Sequence, residues 1–147
     1  MRKYLISGVL TALFVSVSLG LGPKAAASTT SHKVKCSYQS VDSGYWTPRE
    51  VQLTVKCAAE KFGVSLSTAM YVADRESNFR YNALNRSSGT CGIYQHMPAY
   101  WLGRLQTYNY HHPGALHVKS PKCFNARGNV LVSLWMASRG GWGPWSL

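Results

Sequence analysis

The amino-acid sequence predicts one mainly helical α+β domain with a small irregular β element and two disulfides. Two stretches, ending near residues 62 and 78, place apolar side chains at helical spacing. A third, ending near residue 138, would form a helix that is apolar on nearly every face. Residues 79–95 are instead rich in Asn, Arg, Ser and Gly, which is typical of turns and a short extended piece. The chain has no internal repeat, so a single core is expected.

The first 27 residues have the organisation of a secretory signal peptide. A basic start, Arg2-Lys3, precedes an apolar run over 4–21, and Ala25-x-Ala27 offers a cleavage site. A single-pass anchor is the alternative, since the run could just span a bilayer; its glycines and the cleavage site favour removal. We expect secretion to the cell wall, a flexible arm over 28–44, a domain over 45–147, and no stable membrane insertion after cleavage.

The chain is strongly basic, with 16 Lys and Arg against 5 Asp and Glu and a formal net charge of +11. An anionic partner is therefore expected, and nucleic acid, membranes and wall polymers all qualify. Lys and Arg are spread along the chain without a clustered stripe, which argues against nucleic acid. A monomer is expected.

The first two helices have clear boundaries. Thr47, Pro48 and Glu50 combine a cap, a first-turn proline and a capping-box glutamate, so a helix begins here and ends at Gly63. A second helix should begin near Ser65 and end near Asn78.

The C-terminal half predicts two further helices. One opens at Pro98 and runs to Leu105, followed by a long loop over 107–124 without periodicity. The other covers 129–138 and is apolar nearly all round, which predicts burial at the centre of the domain.

The cysteines predict disulfides rather than a metal site. Four cysteines in an exported chain allow three pairings, of which we favour Cys36–Cys57 and Cys91–Cys123, because they would pin the arm to the first helix and clamp the 79–95 segment. No Cys-x-x-Cys occurs, and the histidines form no i,i+4 helical pair. No metal or cofactor is expected.

Glu76 is the candidate catalytic acid. It follows Ala69, Val72 and Ala73 on the inward face of the second helix, whereas Asp74 and Arg75 should point elsewhere. Apolar surroundings and the helix C-terminus both favour its protonated form. The alternative is a surface glutamate that pairs with Arg80, four residues on.

No Asp or Glu follows Glu76 in the sequence. Ordinary glycoside hydrolases use two carboxylates. A solitary acid therefore indicates a different route for any glycan cleavage by this half of the chain.

Three short motifs resemble the lytic transglycosylases of the lysozyme-like superfamily. They are Glu76-Ser77-x-Phe79, the run Gly89-Thr90-Cys91-Gly92-Ile93-Tyr94-Gln95, and Asn129-Val130 at the head of the buried helix. The resemblance covers about 45–147 and is greatest to small secreted variants, including those related to resuscitation-promoting factors.

This resemblance implies a lysozyme-like fold that binds peptidoglycan glycan strands. Glu76 would protonate the oxygen between N-acetylmuramic acid and N-acetylglucosamine, then accept a proton from the muramyl 6-hydroxyl, which gives a 1,6-anhydro sugar. Gln95 would hydrogen-bond the sugar, with Ser77 and Asn129 also at the site. Many relatives have an Ala-Tyr-Asn-Ala-Gly stretch that helps to place the acid, whereas this chain has Gly-Gly-Trp-Gly-Pro-Trp at 140–145.

Tyr94, Trp142 and Gly92 complete the predicted substrate site. Aromatic rings stack on sugars, although most aromatic residues fill cores, and a glycine lets substrate approach the backbone or simply makes a turn. The alternatives to a transglycosylase are a hydrolytic muramidase on the same fold and a non-catalytic cationic protein that binds walls or kills bacteria. A secreted nuclease ranks third, because no acid–His constellation is recognisable.

Overall fold

The computed structural model describes residues 45–114, 116 and 123–147. The predicted signal peptide, the arm and Cys36 lie outside the described residues. The described residues form four α-helices, which are α1 (Pro48–Phe62), α2 (Leu66–Ser77), α3 (Pro98–His111) and α4 (Ala126–Gly140), and a 3-10 helix at Gly143–Trp145.

The structure confirms the cap residues predicted for both ends of α1 and α2. The Thr47 side chain accepts from Glu50 N while the Glu50 carboxylate accepts from Thr47 N at 2.8 Å, and Gly63 ends α1 in the left-handed region. Ser65 caps α2, and Asn78 ends it at φ 49°. These hydrogen bonds satisfy backbone groups that a helix end leaves unpaired.

The helix α4 lies at the centre of the core. Its residues from Gly128 to Trp135 are all buried, and it packs against both α1 and α3, while α2 packs on α1. Burial on all sides agrees with its lack of a polar face. The mainly helical fold class is thus confirmed.

The third helix is longer than the sequence predicts. It continues past Leu105 to His111, so part of the loop expected at 107–124 is helical. Trp101, Leu105 and Tyr108 are its buried positions. These three residues are spaced four and three apart, so they share one face of the helix. Tyr108 extends this buried face beyond Leu105, where the sequence predicted the helix to end.

The β element consists of two isolated antiparallel bridges, Leu84 with Cys91 and Cys91 with His96. The Cys91–Cys123 disulfide, with Cα atoms 5.8 Å apart, joins this element to the residues before α4. That pairing is confirmed, and the Cys36–Cys57 pairing stays a prediction.

In the part of the chain that the structure describes, none of the helices has the length and apolar character that a membrane span requires.

Candidate active site

Glu76 lies in the last turn of α2, at the margin of its buried face. Ala69, Val72, Ala73 and Ser77 are the buried residues of this helix, and 23% of the Glu76 side chain stays exposed. The sequence predicted that the buried face of α2 continues through Glu76. In the structure it continues through Ser77 instead. The carboxylate is supported by the protein on one side and accessible to a ligand on the other.

Arg75 is exposed and lies outside the buried face of α2, as predicted, and its guanidinium holds the Glu76 carboxylate. Its Nη2 and Nε atoms donate to Glu76 Oε1 at 2.7 and 3.2 Å. Hydrogen bonding to Glu76 raises the pKa of Arg75. The guanidinium therefore gives the Glu76 carboxylate a charge-assisted hydrogen bond that fixes the position of Oε1.

The segment after α4 orients Arg75. Arg75 Nη2 also donates to the backbone oxygen of Trp145, and the Trp145 indole donates from Nε1 to Tyr94 O at 2.9 Å. Trp145 is buried and thus links the end of α2 to the turn that carries Gln95. Sequence analysis missed this role of Arg75, because adjacent helical residues point in different directions and only a partner from a distant segment could bring them together.

Gln95 closes the turn formed by residues 89–96. Cys91 and His96 exchange backbone hydrogen bonds of 2.9 Å across the turn. Gln95 has a φ of 47°, donates from Nε2 to Gly92 O at 2.8 Å, and accepts from Thr90 Oγ1 at 2.9 Å. Its side chain is half-buried and is fixed on the turn, with a lone pair of the amide oxygen still able to accept.

Asn129 and Gly92 form the packed base of this turn rather than its ligand-facing surface. Asn129 is completely buried, accepts from Tyr94 N at 2.9 Å and donates to Cys123 O at 3.0 Å. Gly92 has a φ of 80°, and a Cβ there would overlap Asn129 and the Cys123 carbonyl. Gly92 is therefore required for packing against Asn129, and not only for a turn.

Tyr94 and Ser77 are also buried, so the structure corrects the prediction of a Tyr94 ring that stacks on sugar. The Tyr94 hydroxyl donates to Ala69 O at 3.0 Å, and the Ser77 hydroxyl donates to Ala73 O at 3.0 Å. Burial raises the pKa of Tyr94 above its ordinary range. Trp142 is half-exposed beside Tyr94, with ring centres 6.4 Å apart, and remains available to a ligand.

His96 lies behind the turn as a neutral core residue. Its Nδ1 lies 2.8 Å from Arg104 Nη1, and its Nε2 lies 2.7 Å from Ser133 Oγ, which donates to Asn129 O at 2.6 Å. Burial, with the charge of Arg104, lowers the pKa of His96 to about 3. Arg104 therefore donates to Nδ1, and the proton on Nε2 is donated to Ser133.

Candidate metal ligands do not converge in the described part of the chain, where no group of three His, Cys, Asp or Glu side chains could hold a metal ion.

Comparison with protein families gives one match. The family model "Transglycosylase SLT domain" matches residues 54–112, a segment that includes both Glu76 and Gln95. Curated proteins and solved structures give no match. The narrower likeness to resuscitation-promoting factors stays a prediction. Residues 54–112 therefore match the transglycosylase SLT domain, and this match supports a lytic transglycosylase of the lysozyme-like type.

Proposed function

We propose that Glu76 is the single catalytic carboxylate of an exported lytic transglycosylase that cleaves the β-1,4 bond between N-acetylmuramic acid and N-acetylglucosamine. The observation that carries the proposal is the placement of the last acid of the sequence, partly exposed at the end of α2, inside the matched domain. The enzyme would comprise a signal peptide over 1–27, an arm over 28–44 and a monomeric domain over 45–147.

A single carboxylate is sufficient when the attacking group belongs to the substrate. Glu76 gives its proton to the bridging oxygen as the bond from that oxygen to the muramyl anomeric carbon breaks. The muramyl 6-hydroxyl then bonds to that carbon and returns its proton to Glu76. The products are a free N-acetylglucosamine 4-hydroxyl and a 1,6-anhydro sugar, with no water consumed, so no second carboxylate is needed to activate water.

Arg75 supports the second half of this cycle. Its guanidinium stabilises the ionised carboxylate left after proton donation, and a charge-assisted hydrogen bond of 2.7 Å holds Oε1 in place. The other carboxylate oxygen, Oε2, is then the one that exchanges the proton with the substrate. Arg75 thus takes the orienting role for which the 140–145 segment offers no tyrosine.

Gln95 and Trp142 are the proposed substrate-binding side chains. Both are half-buried: Gln95 follows Tyr94 on the turn, and the Trp142 ring contacts the rings of Tyr94 and Trp145, with ring centres 6.4 and 5.4 Å apart. The Gln95 amide would bind an N-acetyl or hydroxyl group, and the Trp142 ring would stack on a sugar face. Gly92, Tyr94 and Asn129 would act indirectly, by holding the turn, and Ser77 through its hydrogen bond to Ala73 O inside α2, next to Glu76.

The test is digestion of purified peptidoglycan by the wild-type protein and by Glu76→Gln. Wild type should release 1,6-anhydro muropeptides, identified by mass, and Glu76→Gln should be at least about a hundredfold slower. Glu60→Gln is the matched control, since Glu60 is an exposed acid on α1. Its activity should equal that of wild type.

Other outcomes separate the alternatives. Reducing-end products would make the enzyme a hydrolytic muramidase. Activity retained in Glu76→Gln would refute the assignment of the acid. Killing that is independent of Glu76 and fades with salt would indicate a cationic wall-binding protein.

A further inference from the structure

Tyr71 is an exposed aromatic residue on α2, one helical turn before Arg75. The residue is 57% exposed, and residues four apart lie on the same side of a helix. The guanidinium carbon of Arg75 lies 5.7 Å from the centre of the Tyr71 ring. The pKa of Arg75 is raised by its hydrogen bonds to Glu76 and, to a smaller extent, to Tyr71. Tyr71 is therefore a direct partner of the arginine that holds Glu76.

Arg75 needs such a partner because it directly precedes the acid in the sequence. Successive side chains of an α-helix point about 100° apart, so the guanidinium must fold back along the helix surface to reach Glu76. The Arg75 side chain is 35% exposed, and holding a long exposed side chain in one geometry costs conformational entropy. Contacts that restrict the guanidinium reduce this cost for its hydrogen bonds to the Glu76 carboxylate.

Two groups besides Glu76 contact the guanidinium, and they come from different parts of the chain. The backbone oxygen of Trp145, in the segment after α4, accepts from Nη2. The Tyr71 ring belongs to α2 itself, and a guanidinium is attracted to an aromatic ring at this distance. Arg75 is thus restrained from its own helix as well as from the segment that docks beside it.

We infer that Tyr71 is a positioning residue for the acid, and that it acts by keeping the Arg75 guanidinium against the Glu76 carboxylate. The inference rests on the proposed function for the role of Glu76. The competing use of an exposed aromatic ring beside the acid is stacking on a sugar. Positioning changes the rate of bond cleavage, whereas stacking changes substrate binding, so kinetics distinguish the two uses.

Tyr100 on α3 supplies a matched control. It is 58% exposed, and its ring centre lies 5.6 Å from the guanidinium carbon of Arg104, four residues on. Arg104 bonds to the buried neutral His96 and not to an acid. Removal of the Tyr100 ring therefore takes away the same kind of contact and leaves the Arg75–Glu76 pair as it is.

Steady-state cleavage of soluble glycan fragments prepared from peptidoglycan is the first test. Tyr71→Leu keeps apolar bulk but removes the ring, so kcat should fall about two- to fivefold, as expected for the loss of an exposed cation–π contact, with KM unchanged. Tyr71→Phe keeps the ring and should restore most of the lost kcat. Tyr100→Leu should cleave like wild type.

A double-mutant cycle tests whether Tyr71 acts through Arg75. In an Arg75→Gln background, Tyr71→Leu should cause no further loss of kcat, because the guanidinium that it holds is already gone. Additive effects of the two changes would overturn the inference. A raised KM with an unchanged kcat in Tyr71→Leu would show that the ring binds substrate, which would overturn it as well.

The Nε–H group of Arg75 gives a readout that does not require catalysis. Its heteronuclear nuclear Overhauser effect, measured by NMR on the full protein, reports fast motion of the side chain. The value should be close to that of the α2 backbone in wild type, fall in Tyr71→Leu, recover in Tyr71→Phe and stay unchanged in Tyr100→Leu. Thermal midpoints of all variants would be measured so that unfolding is not mistaken for local loosening.

The two readouts separate this inference from the proposed function. If wild type cleaves no glycan but Arg75 loosens in Tyr71→Leu, the proposed function is wrong and Tyr71 still holds Arg75 on Glu76. If cleavage depends on Glu76 but Arg75 is as rigid in Tyr71→Leu as in wild type, the proposed function stands and this inference is overturned.

Discussion

Replacement of Asn129 by alanine should destabilise the protein more than any surface change. The side chain is completely buried and bonds to two backbone groups, Tyr94 N and Cys123 O. Truncation leaves both groups buried without a partner, at about 1–3 kcal/mol each, so the free energy of unfolding should fall by about 2–6 kcal/mol. For a domain of this size, at about 4 °C per kcal/mol, the melting midpoint should drop by roughly 8–24 °C.

Urea unfolding followed by circular dichroism measures this loss directly. Asn82→Ala is the control, because Asn82 is exposed in a turn and its loss should cost less than about 0.5 kcal/mol. Asn129→Asp sharpens the test: it keeps the acceptor for Tyr94 N, but it loses the donor to Cys123 O and buries a charge. If Asn129→Ala were as stable as Asn82→Ala, the reasoning that Asn129 holds the turn would be refuted.

Three further changes test the same region. Gly92→Ala should destabilise by several kcal/mol, since its Cβ would overlap Asn129 at a positive φ; a normal melting curve would contradict this. Burial lowers the pKa of His96 to about 3, so the unfolded chain takes up a proton that the folded one does not. Stability should be full above about pH 6.5 and fall toward pH 3 by up to about 1.4 kcal/mol per pH unit, and His96→Gln should flatten that slope between pH 6.5 and 5; an unchanged slope would count against a neutral His96. Replacing both Cys91 and Cys123 by alanine should cost about 4 kcal/mol in urea, because the disulfide closes a loop of 32 residues; a loss below 1 kcal/mol would show that the crosslink matters little.

Local sequence signals were sufficient for the helices whose ends are capped by side chains. Thr47, Glu50 and Gly63 set the bounds of α1 through hydrogen bonds within a few residues, and these are readable from sequence. The end of α3 at His111 was missed although Pro113-Gly114 follows it, because the residues around Tyr108 are polar and hide the apolar face that Tyr108 continues into the core.

The site was predicted less completely than the fold. Placing Glu76 in the last turn of α2 required only helical spacing and an end signal. The burial of Tyr94 and the ion pair of Arg75 depend on partners 25 and 70 residues away. Spacing within one helix carries no information about such partners, so the residues that orient the acid had to come from the three-dimensional structure.

The Arg75–Trp145 contact has a consequence for folding kinetics. It joins residues 70 apart, and the Trp145–Tyr94 bond joins residues 51 apart, so both form only after large loops have closed. Helix α2 can form early from local interactions, with Glu76 already on it. Its carboxylate is oriented only when the segment after α4 docks, and a partly folded chain would therefore carry the acid without being able to use it.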